Sequence, residues 1–181
     1  MKQTAASTLM ASLFCIFAWS GAFAHGPTPQ KIEETVSINA SPAAVWKTIK
    51  DFSAISKWHA GVAKSEGEGG NGVGATRTVT LDGGGTITDS LDEYNDAEKF
   101  YGYRLAKENV EAFPVSFYSA VLTVKPAGQG SEVEWVGRFY RGDTGNFPPD
   151  NLNDEAATAA MTKFFQDGLA SLKAKVEEAS Q

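Results

Sequence analysis

One segment of the chain carries an uninterrupted helical period long enough to span a whole domain. Between Asp154 and Glu178, the residues Ala157, Met161, Phe164, Phe165, Leu169, Leu172 and Val176 recur at the spacing that gathers apolar side chains on one broad helix face. At the α-helical rise this segment runs roughly 37 Å. Its apolar face needs a surface of similar length to cover it. Residues 61–141 supply one, because β-branched and aromatic residues there are divided by turn signals such as Asp82-Gly83-Gly84-Gly85 and the stretch 126–130. Strands are predicted near 61–67, 74–81, 86–94, 98–105, 117–125 and 131–140, joined by consecutive hairpins into an antiparallel sheet.

Three elements precede that sheet. Ile32–Asn39 reads as a first strand with Val36 and Ile38 on one side. Ser41-Pro42 then offers an N-cap and a first-turn proline for a helix presenting Val45, Trp46 and Ile49. Asp51–Trp58 reads as a second short helix, with Phe52, Ile55 and Trp58 turned inward. The expected architecture is therefore α+β: a twisted antiparallel sheet of about seven strands wrapped on a long C-terminal helix, with two short helices after the first strand. With 181 residues and no internal repeat or linker, one core accounts for the chain. Gly168 inside the long helix costs about 1 kcal/mol relative to Ala, which a close approach of a strand or a slight bend would explain.

The N-terminus reads as an export signal. Lys2 precedes an apolar stretch from about Leu9 to Phe23, and Ala22-Phe23-Ala24 forms an A-x-A cleavage signal. Residues 1–24 are thus expected to be removed, leaving 25–181 as one domain in a bacterial periplasm, with no membrane anchor. Cys15, the single cysteine, falls inside the signal, and Phe14 before it is too large for lipoprotein cleavage. The mature start at His25 would place an α-amine beside an imidazole, a possible copper chelate, although an exposed, frayed terminus is the simpler reading.

Composition removes several classes of function. Sixteen Lys and Arg against 22 Asp and Glu give a net charge of −6, the wrong sign for following a phosphate backbone, so no nucleic-acid partner is expected. Two histidines and one cysteine leave no zinc, iron–sulfur or disulfide pattern, and no cofactor is implied. Gly67-Glu68-Gly69-Gly70-Asn71-Gly72 satisfies G-x-G-x-x-G formally, but a strand rather than a helix follows it, so it reads as a hairpin loop. Asp143, Asp150 and Asp154 lack an EF-hand pattern and read as solvation. Asp154 and Glu155 suit the dipole at the start of the last helix.

Strand alternation places Arg77, Val79 and Leu81 on one face, with Ile87, Asp89 and Leu91, and then Tyr101, Tyr103 and Leu105, on the same side. If that side meets the helix, Arg77 and Asp89 point inward. Two readings follow, a structural salt bridge or a polar anchor for a ligand in an otherwise apolar pocket. Tyr103, Tyr118, Trp135, Phe139, Phe164 and Phe165 would line the same space, each also an ordinary core residue. No Ser or Cys nucleophile is recognisable by motif, and no catalytic residue is assigned.

The order of elements resembles the START-like helix-grip superfamily, also called SRPBCC and polyketide cyclase/dehydrase-like. The residues that carry the resemblance are Ile38–Trp46, Asp51-Phe52, Trp58-His59, Arg77–Leu81, Gly83-Gly84, Tyr101–Leu105, Phe113–Val115, Trp135–Tyr140 and Phe164–Leu169. The resemblance implies a hollow between sheet and helix, with Trp58 and His59 at its entrance; His59 itself reads as a solvated loop histidine. The superfamily includes lipid carriers, receptors and cyclases. The leader, His25–Lys31 and Trp135–Tyr140 further resemble the MxaD-like periplasmic accessory family of methanol oxidation. That resemblance implies a non-catalytic protein assisting methanol dehydrogenase and its cytochrome c acceptor. The alternatives are a carrier or sensor of a small apolar ligand, or a cyclase-like enzyme using His59, Arg77 or Asp89.

Overall fold

The computed structural model describes residues 26–180, so the expected signal segment, Cys15 and the His25 chelate lie outside the described residues. Within them the chain runs β1 (Gln30–Ile38), α1 (Pro42–Ile49), a 3-10 turn (Phe52–Lys57), then β2 (Val62–Glu68), β3 (Thr76–Leu81), β4 (Thr86–Asn95), β5 (Phe100–Lys107), β6 (Val115–Ala127) and β7 (Gly130–Arg141). A second 3-10 turn (Asp150–Leu152) leads into α2 (Asp154–Glu178). All seven strands form one antiparallel sheet in the order β1-β7-β6-β5-β4-β3-β2. Strands β2 to β7 follow one another by hairpins, as the turn signals require. The first strand pairs with the last, Val36 opposite Val133, so β1 forms one edge of the sheet and β2 the other.

Local chemistry sets the element ends. The Ser41 hydroxyl accepts from the Ala44 amide, and Pro42 occupies the first turn of α1. The expected second helix is a 3-10 turn broken at Ala54; Asp51 caps it and Phe52, Ala54 and Ile55 are buried. Asn153 caps α2 through the Ala156 amide at 2.9 Å, and Asp154 and Glu155 occupy its positive end.

The helix α2 lies across the concave face of the sheet. Gly137 on β7 makes room for it: a methyl there would stand 3.0 Å from both Met161 and Phe165. Trp135 then stacks on Phe165, centroids 4.2 Å apart and planes 8° from parallel. Gly168 meets the expected close approach of a strand through the β7 side chain Trp135, and meets a second, unexpected one from His59. A Cβ there would sit 2.5 Å from the His59 ring and 2.9 Å from Trp135, so the glycine admits two side chains under the helix.

Strand β6 starts two residues before its expected limit and carries a bulge between Ser116 and Ser119. At the bulge Phe117 adopts φ 48° and turns outward, 71% exposed, while Tyr118 turns in.

Candidate functional site

The β3–β4 register sets Arg77 directly opposite Asp89 and Val79 opposite Ile87; Val79, Ile87 and Asp89 share a space with Met161, Phe164 and Phe165 of α2, while Arg77 reaches the 3-10 turn at Phe52. Arg77 Nε donates to Asp89 Oδ2 at 2.8 Å, and Arg77 Nη1 donates to the Phe52 carbonyl at 3.1 Å. The guanidinium carbon lies 4.3 Å from the Phe52 ring centroid and 4.5 Å from that of Tyr103, a cation held between two aromatic faces. The Tyr118 hydroxyl donates to the other Asp89 oxygen. Both members of the pair are essentially excluded from water. The salt-bridge reading is therefore realised, and every partner it needs is in place.

Burial pushes the Asp89 carboxyl above the ordinary carboxylate range, against the pull of Arg77 and of the Tyr118 hydroxyl. Burial opposes the Arg77 charge, yet Asp89 and the neighbouring tyrosines hold its pKa above the usual value. Burial also raises Tyr103 and Tyr118, so both remain phenols at neutral pH. Tyr103 accepts a bond from Trp135 Nε1 at 3.1 Å. That leaves its own proton for another acceptor.

These polar groups reach one end of a small closed cavity. Asp89, Tyr103 and Tyr118 line it together with Val79, Ile87, Met161, Phe165, Phe113 and Phe164, and its volume is about 10 Å3. That is room for about one water. The hollow expected between sheet and helix is thus nearly filled by side chains. A second, open space of about 600 Å3 lies directly outside, over Leu81, the Asp82–Gly84 turn, 111–114 and the α2 residues Ala160, Lys163 and Asp167. Phe113 and Phe164 line both spaces, with ring centroids 5.6 Å apart, and form the partition between them. The open side is narrowed where Gly85, at φ 78°, packs on the Ala112 methyl, bringing the β3–β4 turn against the β5–β6 loop.

The remaining expected site residues fall elsewhere. His59 is not a solvated loop histidine: it is 2% exposed, with Nδ1 accepting from the Gly61 amide at 3.0 Å and Nε2 without a hydrogen-bond partner. Its ring lies against Phe164, centroids 4.0 Å apart, and edge-on to Trp135. Burial drives its pKa down to about 4, so the ring is neutral at pH 7. Trp58 is buried beside it; neither residue lines the mouth over Phe113 and Phe164, and both back a separate open cleft of about 330 Å3 between residues 56–60 and the α2 residues Ser171, Lys175 and Glu178. Trp135 and Phe139 are core residues that do not belong to the cavity wall. Asp154 is engaged rather than merely solvated: its Oδ2 pairs at 2.8 Å with the nearly buried Arg141, which also donates to the carbonyls of Asp143 and Gly145. Among the described residues, no group of three metal-ligating side chains converges.

Sequence reasoning passed over Phe113 as a wall residue and Asp82, Glu111, Lys163 and Asp167 around the mouth. The clue to the first was Phe113-Pro114 just before a strand, since a proline there ends one segment and fixes the next. The mouth residues come from three separated segments, and only the fold brings them together.

Residues 29–177 match the family described as polyketide cyclase / dehydrase and lipid transport. The chain belongs to that family. Among solved structures, the Bacillus cereus protein XoxI is similar over 83% of this chain and 98% of its own, at 27% identity and TM-score 0.69. A Nitrosospira multiformis protein is similar over 84% of this chain and its whole length, at 22% identity and TM-score 0.67. The Zhui aromatase/cyclase of a Streptomyces species shares the fold at 18% identity and TM-score 0.68, over 85% of this chain and 97% of its own. No curated protein matches the sequence. Membership of the polyketide cyclase / dehydrase and lipid transport family agrees with the helix-grip architecture, and makes the space between sheet and helix the region to consider for ligands.

Proposed function

We propose that this protein binds a small, largely apolar ligand between its sheet and α2, as a carrier or sensor. One observation carries the reading: Phe113 and Phe164 alone line both the open mouth and the closed inner cavity, so swinging one ring joins 600 Å3 of groove to a cavity with a polar end. A ligand pocket needs that combination of apolar wall and few placed polar groups. Binding is favoured over acid–base catalysis because both Asp89 oxygens accept hydrogen bonds from Arg77 and Tyr118, and the neutral His59 ring is covered by Phe164. The test is a titration with the neutral fluorophore N-phenyl-1-naphthylamine. Phe164→Ala, which removes one of the two partition rings, is expected to speed association at least about tenfold. An unchanged rate in Phe164→Ala, or no binding to either protein, refutes the reading.

We further propose that the protein is exported, works in the periplasm and assists methanol dehydrogenase and its cytochrome c by protein contacts. The leader and the Trp135–Tyr140 resemblance support this role. The outer face of the sheet offers a surface for it, with Phe117 71% and Val121 42% exposed and Phe117 edge-on to Tyr140. Adding the protein should change methanol-dependent cytochrome c reduction, and Phe117→Ser should abolish that change. No effect of the wild-type protein removes the proposal.

A further inference from the structure

The groove outside Phe164 has an apolar floor and a charged rim. Its rim carries Asp82 on the β3–β4 turn, Glu111 on the β5–β6 loop, and Lys163 and Asp167 one turn apart on α2. Lys163 is already committed, its ammonium 2.7 Å from Asp167 Oδ2. Among the described residues neither Asp82 nor Glu111 joins an ion pair, so the rim carries two carboxylates in excess.

The interior adds no positive charge to offset them. Arg77 is neutralised by Asp89, whose two oxygens are both occupied. Burial leaves the His59 ring uncharged at neutral pH. The polar group with unused capacity at the inner cavity is the Tyr103 phenol, a donor suited to a neutral oxygen. A carboxylate at the inner end would lose its hydration beside Asp89 without a free cation to receive it. At the mouth it would meet Asp82 and Glu111.

We infer that the mouth selects by charge, admitting flat apolar ligands whose polar end is neutral or cationic and turning away those that end in a carboxylate. The inference rests on the ligand-binding reading above and specifies the chemical class for the same site. An ammonium end lies at the rim between Asp82 and Glu111 with the apolar body over Phe164, whereas a neutral hydroxyl end enters past Phe164 to the Tyr103 phenol.

Three naphthalenes of nearly one size separate the possibilities: 2-naphthylmethylamine, 2-naphthalenemethanol and 2-naphthoate, titrated at pH 7 in low salt by calorimetry. The amine and the alcohol are expected to bind, the amine at least about tenfold more tightly than the carboxylate. That ratio should shrink as salt screens the rim. The double variant D82N/E111Q, both sites lying on exposed loops, should bring the amine and the carboxylate within about twofold. Equal or tighter binding of 2-naphthoate by the wild-type protein overturns the charge selection while leaving ligand binding intact. A preference that survives in D82N/E111Q overturns the assignment to those two carboxylates. If none of the three binds, the ligand-binding reading fails and the inference with it.

Discussion

Replacing Asp89 by Asn keeps the size of the side chain and removes its charge. In the wild-type protein two donors, Arg77 Nε and the Tyr118 hydroxyl, point at two carboxylate oxygens. Asn offers one acceptor oxygen and one amide, so one donor loses its acceptor and Arg77 becomes a buried cation without a counter-charge. Breaking such a pair costs about 3–5 kcal/mol. Sharing of the Arg77 charge with the Phe52 carbonyl and the two ring faces argues for the lower half of that range. At a urea slope of roughly 2 kcal/mol per molar, a loss of about 3–4 kcal/mol lowers the unfolding midpoint by about 1.5–2 M. Tryptophan emission reports it well, since Trp135 is wholly buried and bonded to Tyr103. The double variant Arg77→Met, Asp89→Leu should recover part of the loss, because it leaves no buried charge, although the Tyr118 hydroxyl and the Phe52 carbonyl lose their partners. If Asp89→Asn lies within about 1 kcal/mol of wild type, or the double variant is no more stable than the single, the buried-pair reasoning is wrong. A double variant that folds yet binds N-phenyl-1-naphthylamine as wild type does would show that the pair holds the fold without anchoring the ligand.

Other outcomes follow from single contacts. Gly168→Ala gains about 1 kcal/mol of helix propensity but drives a methyl into His59 and Trp135, so a net loss of about 1–3 kcal/mol is expected from chemical denaturation. His59, with its folded pKa depressed from 6.5 to about 4 by burial, contributes stability that is complete above pH 6.5 and drains away as pH falls toward 4. That window is worth about 3 kcal/mol, and His59→Phe should flatten the stability–pH profile across it. Gly85→Ala both strains a backbone at φ 78° and presses on Ala112, so faster amide exchange over 108–114 is expected, with faster probe association if this contact narrows the mouth.

Much of this protein was legible from residue order. The period of α2, the Ser41-Pro42 start and the alternation of Arg77, Val79 and Leu81 against Ile87, Asp89 and Leu91 are local properties, and the elements follow them closely. Even the Arg77–Asp89 pairing was foreseeable, because one tight hairpin sets its register. His59 was misread because its isolated neighbours, Trp58 and Ala60, do not reveal that Gly168, 109 positions further on, opens a space for its ring.

Residue order alone sets which segments become strand or helix and which face of each is apolar, since backbone periodicity and capping act over a few residues. Tertiary structure alone decided that β1 closes on β7, that Phe113 and Phe164 fill the expected hollow, and that Asp82, Glu111, Lys163 and Asp167 ring one mouth. Those outcomes depend on close packing between segments far apart in the chain, where a single missing methyl, as at Gly137 or Gly168, settles what fits beneath the helix.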